Sequence, residues 1–446
     1  MVNNSLLKTI RFSETEQWNV KHFFSTTITS KYPIENIGRH TIRITNKIKL
    51  FNEPEKEFGI LGISNEVGMF DAYTEFGKNI NQPYIYVADG CLAYNPYRIN
   101  VGSIGLKTEE ISNEYISPAY IVFKCRETLL PEYLYIILKS PMLNILIKEN
   151  TTGSVRQTLS YENLSKIKIP VPSSLEEQRK IVNKYKETLT RAQQLENEAL
   201  EKEKNIEKFI ISSLNIGRVE TSNNNNILRF VPFKNFSNKW EWSEISESIE
   251  KAMKSCTYPI KTLGQTVSFV NRVWKSKNCN NEKFMYIEIG GINSTNNTAT
   301  ANEVFVVDAP SRATQTVESG DLIIGTTRPY LKKFAIIRNS ENGYVCSSGF
   351  QVIKPSSNYD LRYIMEVLKI ETTIKQFELL MTGALYPAIN LEQLKQIKIP
   401  IPPIDVQVAI SNHIEHEKIS INNLYKKAKM LRLQAKEDFE EAVFNG

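Results

Sequence analysis

The sequence predicts an α+β protein: two tandem mixed α/β domains, each followed by a long helix, with the two helices pairing as a coiled coil. Three observations carry this expectation. The chain matches itself at one fixed offset, the block Ile-Lys-Ile-Pro-x-Pro occurs twice, and residues 175–214 and 404–445 contain neither Gly nor Pro.

Length and composition set the outer bounds. The 446 residues are 41% hydrophobic and 23% charged, an apolar share that supports a buried core. At roughly 100–200 residues per domain the length allows two to four domains. Cys91, Cys125, Cys256, Cys279 and Cys346 are odd in number, far apart and form no Cys-x-x-Cys. They argue against a disulfide scaffold or a zinc ribbon and fit a reducing cytoplasm. The N-terminal residues are too polar for a signal peptide, and the absence of a run of about 18 apolar residues predicts no membrane span. A formal net charge of +6 permits a polyanionic partner without demanding one.

The self-match is the organising feature. At an offset of about 230 positions, Gly90 meets Gly320, Leu92 meets Leu322 and Arg98 meets Arg328. Ser117, Val122 and Lys124 meet Ser347, Val352 and Lys354, and Tyr133, Leu138 and Lys139 meet Tyr363, Leu368 and Lys369. Further on, Thr152-Gly153 meets Thr382-Gly383, Leu164 meets Leu394, and Ile167-Lys168-Ile169-Pro170 meets Ile397-Lys398-Ile399-Pro400. One deletion later Gln178 pairs with Gln407 and Ile181 with Ile410; at the front, Tyr32-Pro33-Ile34 echoes Tyr258-Pro259-Ile260 and Arg11-Phe12 echoes Arg229-Phe230. The protein is a tandem duplication.

Each copy opens with a mixed part, roughly 11–172 and 229–402. Runs such as Tyr84–Val87, Tyr120–Phe123 and Asp321–Ile324 read as strands, and 133–139 and 363–369 carry helical spacing. A long helix then begins near Leu175 and near Ile404, just past the prolines. Apolar residues at alternating spacings of four and three mark a seam on each. In the first helix they are Ile181, Tyr185, Ala192, Leu195, Ala199, Ile206 and Phe209; in the second, Ile410, Ile414, Ile421, Leu424, Ala428, Leu431, Ala435 and Ala442. Helices this long need tertiary burial, so pairing with each other is expected. The run Ser222–Asn226 reads as a polar linker. The expected division is 1–172, a helix at 173–216, linker plus second domain at 217–402, and a helix at 403–446.

Enzyme signatures are missing. Asn95-Pro96-Tyr97 matches only part of the Asn-Pro-Pro-Tyr element of amino-methyltransferases, and no Gly-rich strand–turn–helix precedes it. There is no Gly-x4-Gly-Lys-Ser/Thr phosphate loop, and no Pro-Asp followed by Glu-x-Lys. His413 and His416 lie beside Glu415 and Glu417 without a repeated third ligand, so a solvated helix face is the better reading. No catalysis, cofactor or metal is expected.

The loops suggest binding. Tyr94-Asn95-Pro96-Tyr97-Arg98-Ile99-Asn100 and Thr326-Thr327-Arg328-Pro329-Tyr330-Leu331-Lys332 follow equivalent strands and combine Arg, amides, hydroxyls and aromatics. Arg reads guanine bidentately, Asn or Gln reads adenine, and Lys pairs with phosphate. The loop at Thr151–Gln157 adds Arg156 and Gln157, its second-copy partner Thr382–Pro387 lacks both, and Arg272 and Lys275 add basic candidates in the second copy. For any one of these a solvated loop is the bland alternative. A shared structural salt bridge would equally explain the paired Arg98 and Arg328.

Taken together, Tyr94 to Gly105, the twice-used Thr-Gly…Ile-Lys-Ile-Pro-x-Pro block, the glutamines opening the helices, and Leu228-Arg229-Phe230…Trp240-Glu241-Trp242 resemble the DNA-specificity subunit of type I restriction–modification systems. The likeness covers nearly the whole chain. It implies two target-recognition domains, each reading one half of a bipartite asymmetric site in double-stranded DNA. It implies helices running antiparallel as a spacer. It also implies two docked methyltransferase subunits that bring S-adenosylmethionine, optionally two motor–nuclease subunits, and no active site in the chain itself. A DNA-modifying enzyme with a degenerate motif, or a coiled-coil scaffold that reads no DNA, remain the alternatives.

Overall fold

The computed structural model describes residues 28–151, 157–217, 219, 244–383 and 386–444. Arg156, the Thr152-Gly153 half of the repeated turn, Arg11-Phe12, the Ser222–Asn226 linker, Leu228–Phe230 and Trp240–Trp242 lie outside these residues. The chain divides into two compact units: residues up to Leu195 together with those from Lys426, and Glu196–Tyr425. Each unit therefore contains part of both long helices.

The same four-stranded sheet is built in each unit. In the first, a four-stranded antiparallel sheet runs in the order Thr41–Ile44, Ile121–Cys125, Cys91–Tyr94, Ile104–Leu106; in the second the order is Phe269–Val270, Phe350–Ile353, Leu322–Gly325, Phe334–Ile336. The registers coincide as well: Leu92 faces Leu106 and Val122 faces Ala93, while Leu322 faces Ile336 and Val352 faces Ile323. All four residues of Cys91–Tyr94 and of Leu322–Gly325 are buried. Both faces of these central strands are covered, which explains runs of apolar residues instead of alternation. Gly90 and Gly320 precede them at φ +78° and +87°, a left-handed backbone that glycine adopts without steric cost.

A second sheet extends each unit. In the first unit its order is Lys47–Ile48, Tyr84–Tyr86, Tyr115–Ile116, Glu57–Ser64, Gly68–Phe76; in the second it is Asn302–Phe305, Lys283–Ile287, Val345–Ser347, Ala313–Thr316. Each contains one parallel pairing, Ile60 with Tyr115 and Tyr286 with Val345. The hairpin of the first unit is much the longer, so the two copies differ most in this sheet.

The joint between domain and helix is duplicated. A two-stranded ribbon pairs Ile34–Asn36 with Lys168–Pro170, and Ile260–Thr262 with Lys398–Pro400. The Tyr133 hydroxyl donates to the Pro170 carbonyl at 3.1 Å, and the Tyr363 hydroxyl donates to the Pro400 carbonyl at 2.9 Å. The long helices then start at Leu175 and Ile404 and run to Leu214 and Phe444. Within the first turn of one, the wholly buried Gln178 donates to the carbonyls of Thr128 (3.1 Å) and Pro172 (3.0 Å), and its Oε1 accepts the Leu130 N–H at 2.8 Å. Gln407 repeats this with the Pro402 carbonyl (2.8 Å) and the Asp360 N–H (3.0 Å). Backbone groups that a helix start and a strand end leave over are thereby satisfied.

The helices pair antiparallel within each unit. In the first, Lys184 meets Asp438 and Arg432 meets Gln193; in the second, Lys202 meets Glu417 and the His413 ring lies on Phe209 with centroids 4.0 Å apart. Of the expected seam, Ala192, Leu195, Ala199, Ile410, Ile414, Ile421, Ala428 and Ala435 are buried. Ile181, Tyr185, Ile206, Leu424 and Leu431 are half-buried. Val182, Ile210, Leu214, Phe439 and Val443 are buried but lie off that track. Near the helix ends the core of the domain in the same unit covers a second face; Phe439 lies near both Tyr133 (6.0 Å) and Tyr185 (5.7 Å). No helix among the described residues is long and apolar enough to cross a membrane.

Replacing Gln178 or Gln407 by Ala is expected to lower unfolding free energy by roughly 2–4 kcal/mol, because buried backbone groups lose their partners and a void remains. Denaturant unfolding measures it; a loss below about 0.5 kcal/mol, the range of an ordinary surface substitution, would show that the joint is not held this way.

Candidate nucleic-acid interface

Two loops that are distant in sequence come together in each unit. In the first, the Leu159 N–H donates to the Pro96 carbonyl at 3.0 Å; at the equivalent place in the second, the Ile389 N–H donates to the Thr326 carbonyl at 3.0 Å. The loop carrying Arg98 therefore lies against the segment containing Gln157, and the loop carrying Arg328 lies against the segment containing Tyr386.

In the first unit, Asn95 turns the chain: its Oδ1 accepts the Tyr97 N–H at 3.0 Å and its carbonyl accepts the Arg98 N–H at 3.0 Å. A short 3₁₀ turn, Ile99–Val101, follows and closes on Gly102 at φ +88°. Tyr97 is 57% exposed, Arg98 and Gln157 are exposed, and Asn95 and Asn100 are half-buried. Tyr94 corrects the sequence expectation. It is the last residue of a strand covered on both faces, is fully buried, and donates its hydroxyl to the Leu159 carbonyl at 3.2 Å. Burial pushes that hydroxyl far above its ordinary pKa. It is an anchor that joins the two loops, out of reach of a ligand.

In the second unit the turn is more strained. Arg328 lies at φ +49° and Lys332 at φ +54°, flanking the 3₁₀ turn Pro329–Leu331. A left-handed backbone costs a non-glycine residue about 1–2 kcal/mol, and the first unit has glycine at the place of Lys332. The Arg328 N–H is held by the Pro387 carbonyl at 2.8 Å, and Thr327 bridges to Ala388. The Arg328 guanidinium lies 5.9 Å from the centre of the Tyr386 ring, within cation–π range. Arg328 and Tyr330 are exposed and Thr327 is half-buried. Neither Arg98 nor Arg328 makes an ion pair among the described residues.

Three further candidates are redirected. Arg272 forms a fork with the fully buried Asp321 (2.6 and 3.3 Å) and an ion pair with Glu318 (2.7 Å). Asp321 also accepts the Glu318 N–H at 2.8 Å, so Arg272 is committed to holding the start of the central strand. Thr326 is buried and donates to the Gly349 carbonyl at 2.9 Å. Lys332, half-buried, lines a cavity of about 240 Å³ shared with Glu203, Glu366, Lys369 and Lys418. There Glu366 is buried between the two ammonium groups, and burial lowers the pKa of Lys369 to about 8. Lys275 stays exposed, beside the stacked Trp274 and Phe284. Sequence reasoning missed Tyr386, 75% exposed; its position is the repeat counterpart of Arg156, and that correspondence was the available signal.

The chain is similar to known proteins in sequence and in fold. A family profile described as the type I restriction modification DNA specificity domain matches residues 31–208 and again 257–427. Over 189 residues, 41% of the chain, the protein is 23% identical to the type I restriction enzyme HindI specificity subunit of Haemophilus influenzae, and the match spans 36% of that relative. A solved chain from work on complex assembly and conformational transition of the type I R-M system superposes with a TM-score of 0.58 at 14% identity, covering 94% of this chain and 98% of that one. An HsdS subunit from Thermoanaerobacter tengcongensis, 15% identical, gives a TM-score of 0.47 over 93% of this chain and 97% of its own.

Arg272→Ala should destabilise the protein by about 3–5 kcal/mol, since it strands a buried carboxylate, whereas Lys275→Ala should change stability by less than about 0.5 kcal/mol. Equal effects in thermal or denaturant unfolding would contradict the separation of the two roles.

Proposed function

Because the chain belongs to the type I restriction–modification DNA specificity family, we propose that it is the sequence-reading subunit of such a system. It recognises a bipartite, asymmetric double-stranded DNA target and has no active site of its own. One observation carries the reading: the same fold and the same loop-to-loop joint occur twice, with different side chains on equivalent loop positions. Recognition is assigned to residues 1–172 and 217–402, through Asn95, Tyr97, Arg98, Asn100, Arg156 and Gln157 in the first and Lys275, Thr327, Arg328 and Tyr330 in the second. The helices at 173–216 and 403–446 serve as the spacer.

Docking of two methyltransferase subunits, which bring S-adenosylmethionine, completes the proposal, with two motor–nuclease subunits as optional further partners in the cytoplasm. Leu200 and Ile419 in one unit, and Met430 and Leu433 in the other, are large apolar residues left 45–65% exposed on the helices. Exposed apolar side chains on otherwise polar helices are suited to burial against a partner.

Two measurements test the reading. A heptad inserted in both helices lengthens each by about 10 Å, so the spacer between half-sites should grow by roughly three base pairs at 3.4 Å each. An unchanged spacer among methylated sites would remove the ruler. Arg98→Ala should relax one position of a single half-site, at about 1–3 kcal/mol for the lost base contact. Uniform weakening on all sequences would instead assign Arg98 to phosphate.

A further inference from the structure

We infer that Tyr386 is a further specificity-determining residue of the second unit, one that positions the Arg328 guanidinium for reading a base edge; the inference rests on the DNA-recognition reading above. Tyr386 is 75% exposed, so its ring contributes little to the packing of its own unit. The Arg328 guanidinium lies over the ring, 5.9 Å from its centre.

The backbone around the pair is built to hold it. The residue after Tyr386 accepts the Arg328 N–H at 2.8 Å, and the Ile389 N–H closes the loop onto Thr326 at 3.0 Å. On the other side, Thr382 and Ala388 exchange two backbone hydrogen bonds of 2.9 Å. Gly383, at φ +99°, lies so close that a Cβ there would stand 2.9 Å from the Tyr386 carbonyl. In the second unit the Thr382-Gly383 backbone is thus packed closely against that of residues 386–388. Arg328 in turn keeps a left-handed backbone that an arginine rarely adopts, and such an outlier persists where its surroundings impose it.

The chemistry follows from the guanidinium's shape. An arginine reads guanine through two parallel N–H donors, which requires the guanidinium plane to be fixed. A free arginine on a loop has four rotatable bonds to order on binding; a ring with two, placed beside it, restricts the plane beforehand. At the same position of the sequence repeat the first copy has Arg156, so the two copies carry different side chains at that repeat position. Different bases are then read there.

The test is the methylation motif produced by the chain with its methyltransferase subunits, obtained by sequencing methylated adenines. Tyr386→Ala should lower discrimination at one position of one half-site by roughly tenfold, with the other half-site intact. Tyr386→Phe, which keeps the ring, should leave the motif unchanged. Arg328→Lys should relax the same position as Tyr386→Ala, and the double variant should relax it no further. An unchanged motif in Tyr386→Ala, a uniform loss across both half-sites, or additive losses in the double variant would overturn the inference. A wild-type chain that yields no bipartite motif would instead overturn the DNA-recognition reading itself, and the inference with it.

Discussion

The structure depends on how a helix is fixed to a domain. A strand ending in Ile-Lys-Ile-Pro leaves unpaired carbonyls, and the first turn of the following helix must be oriented without hydrogen bonds of its own. A buried glutamine resolves both needs at once. Gln178 bridges the Thr128 and Pro172 carbonyls to the Leu130 N–H, and Gln407 does the same between the Pro402 carbonyl and the Asp360 N–H. The tyrosines at 133 and 363 close the same joint onto the prolines. A side-chain amide with both ends engaged fixes an angle, which an apolar contact of equal size would not.

This explains what the repeat retains and what it lets vary. The residues in register across the copies are those of the joint, the central strand and the glycine turn before it. The outer hairpins differ in length, and the loops at Arg98 and Arg328 differ in backbone: Arg328 is left-handed at φ +49° whereas Arg98 lies at φ −130°, although Gly102 and its counterpart Lys332 are both left-handed. A duplicated frame with unlike loops is the arrangement expected of a protein that reads two unlike sequences, since side chains at loop positions can change without disturbing the core.

Much of the fold was legible from the sequence. The long helices begin just past the prolines, as the sequence indicates, and the offset between copies aligns the central strands and the Ile-Lys-Ile-Pro block of the two units. The site was less legible, for physical reasons that differ by residue. Tyr94 and Tyr97 sit three positions apart in one motif, yet the first ends a doubly covered strand and the second stands on a turn; sequence does not say where the cover stops. Arg272 looked like a free basic residue because its partner, Asp321, is distant along the chain. Phe439 and Val443 fell off the seam because the domain, and not only the other helix, covers the helix end. Tyr386 passed unnoticed because its role comes from proximity to Arg328, which only the closed loop pair creates.

On the proposed function, one chain carries two readers of different sequence, each held by the same joint. Footprinting of the complex of this chain with its methyltransferase subunits on target DNA tests it most directly. Two protected blocks of unlike sequence, separated by a stretch whose sequence can be changed without loss of binding, are predicted. A single continuous block, or protection that is insensitive to sequence throughout, would contradict the account.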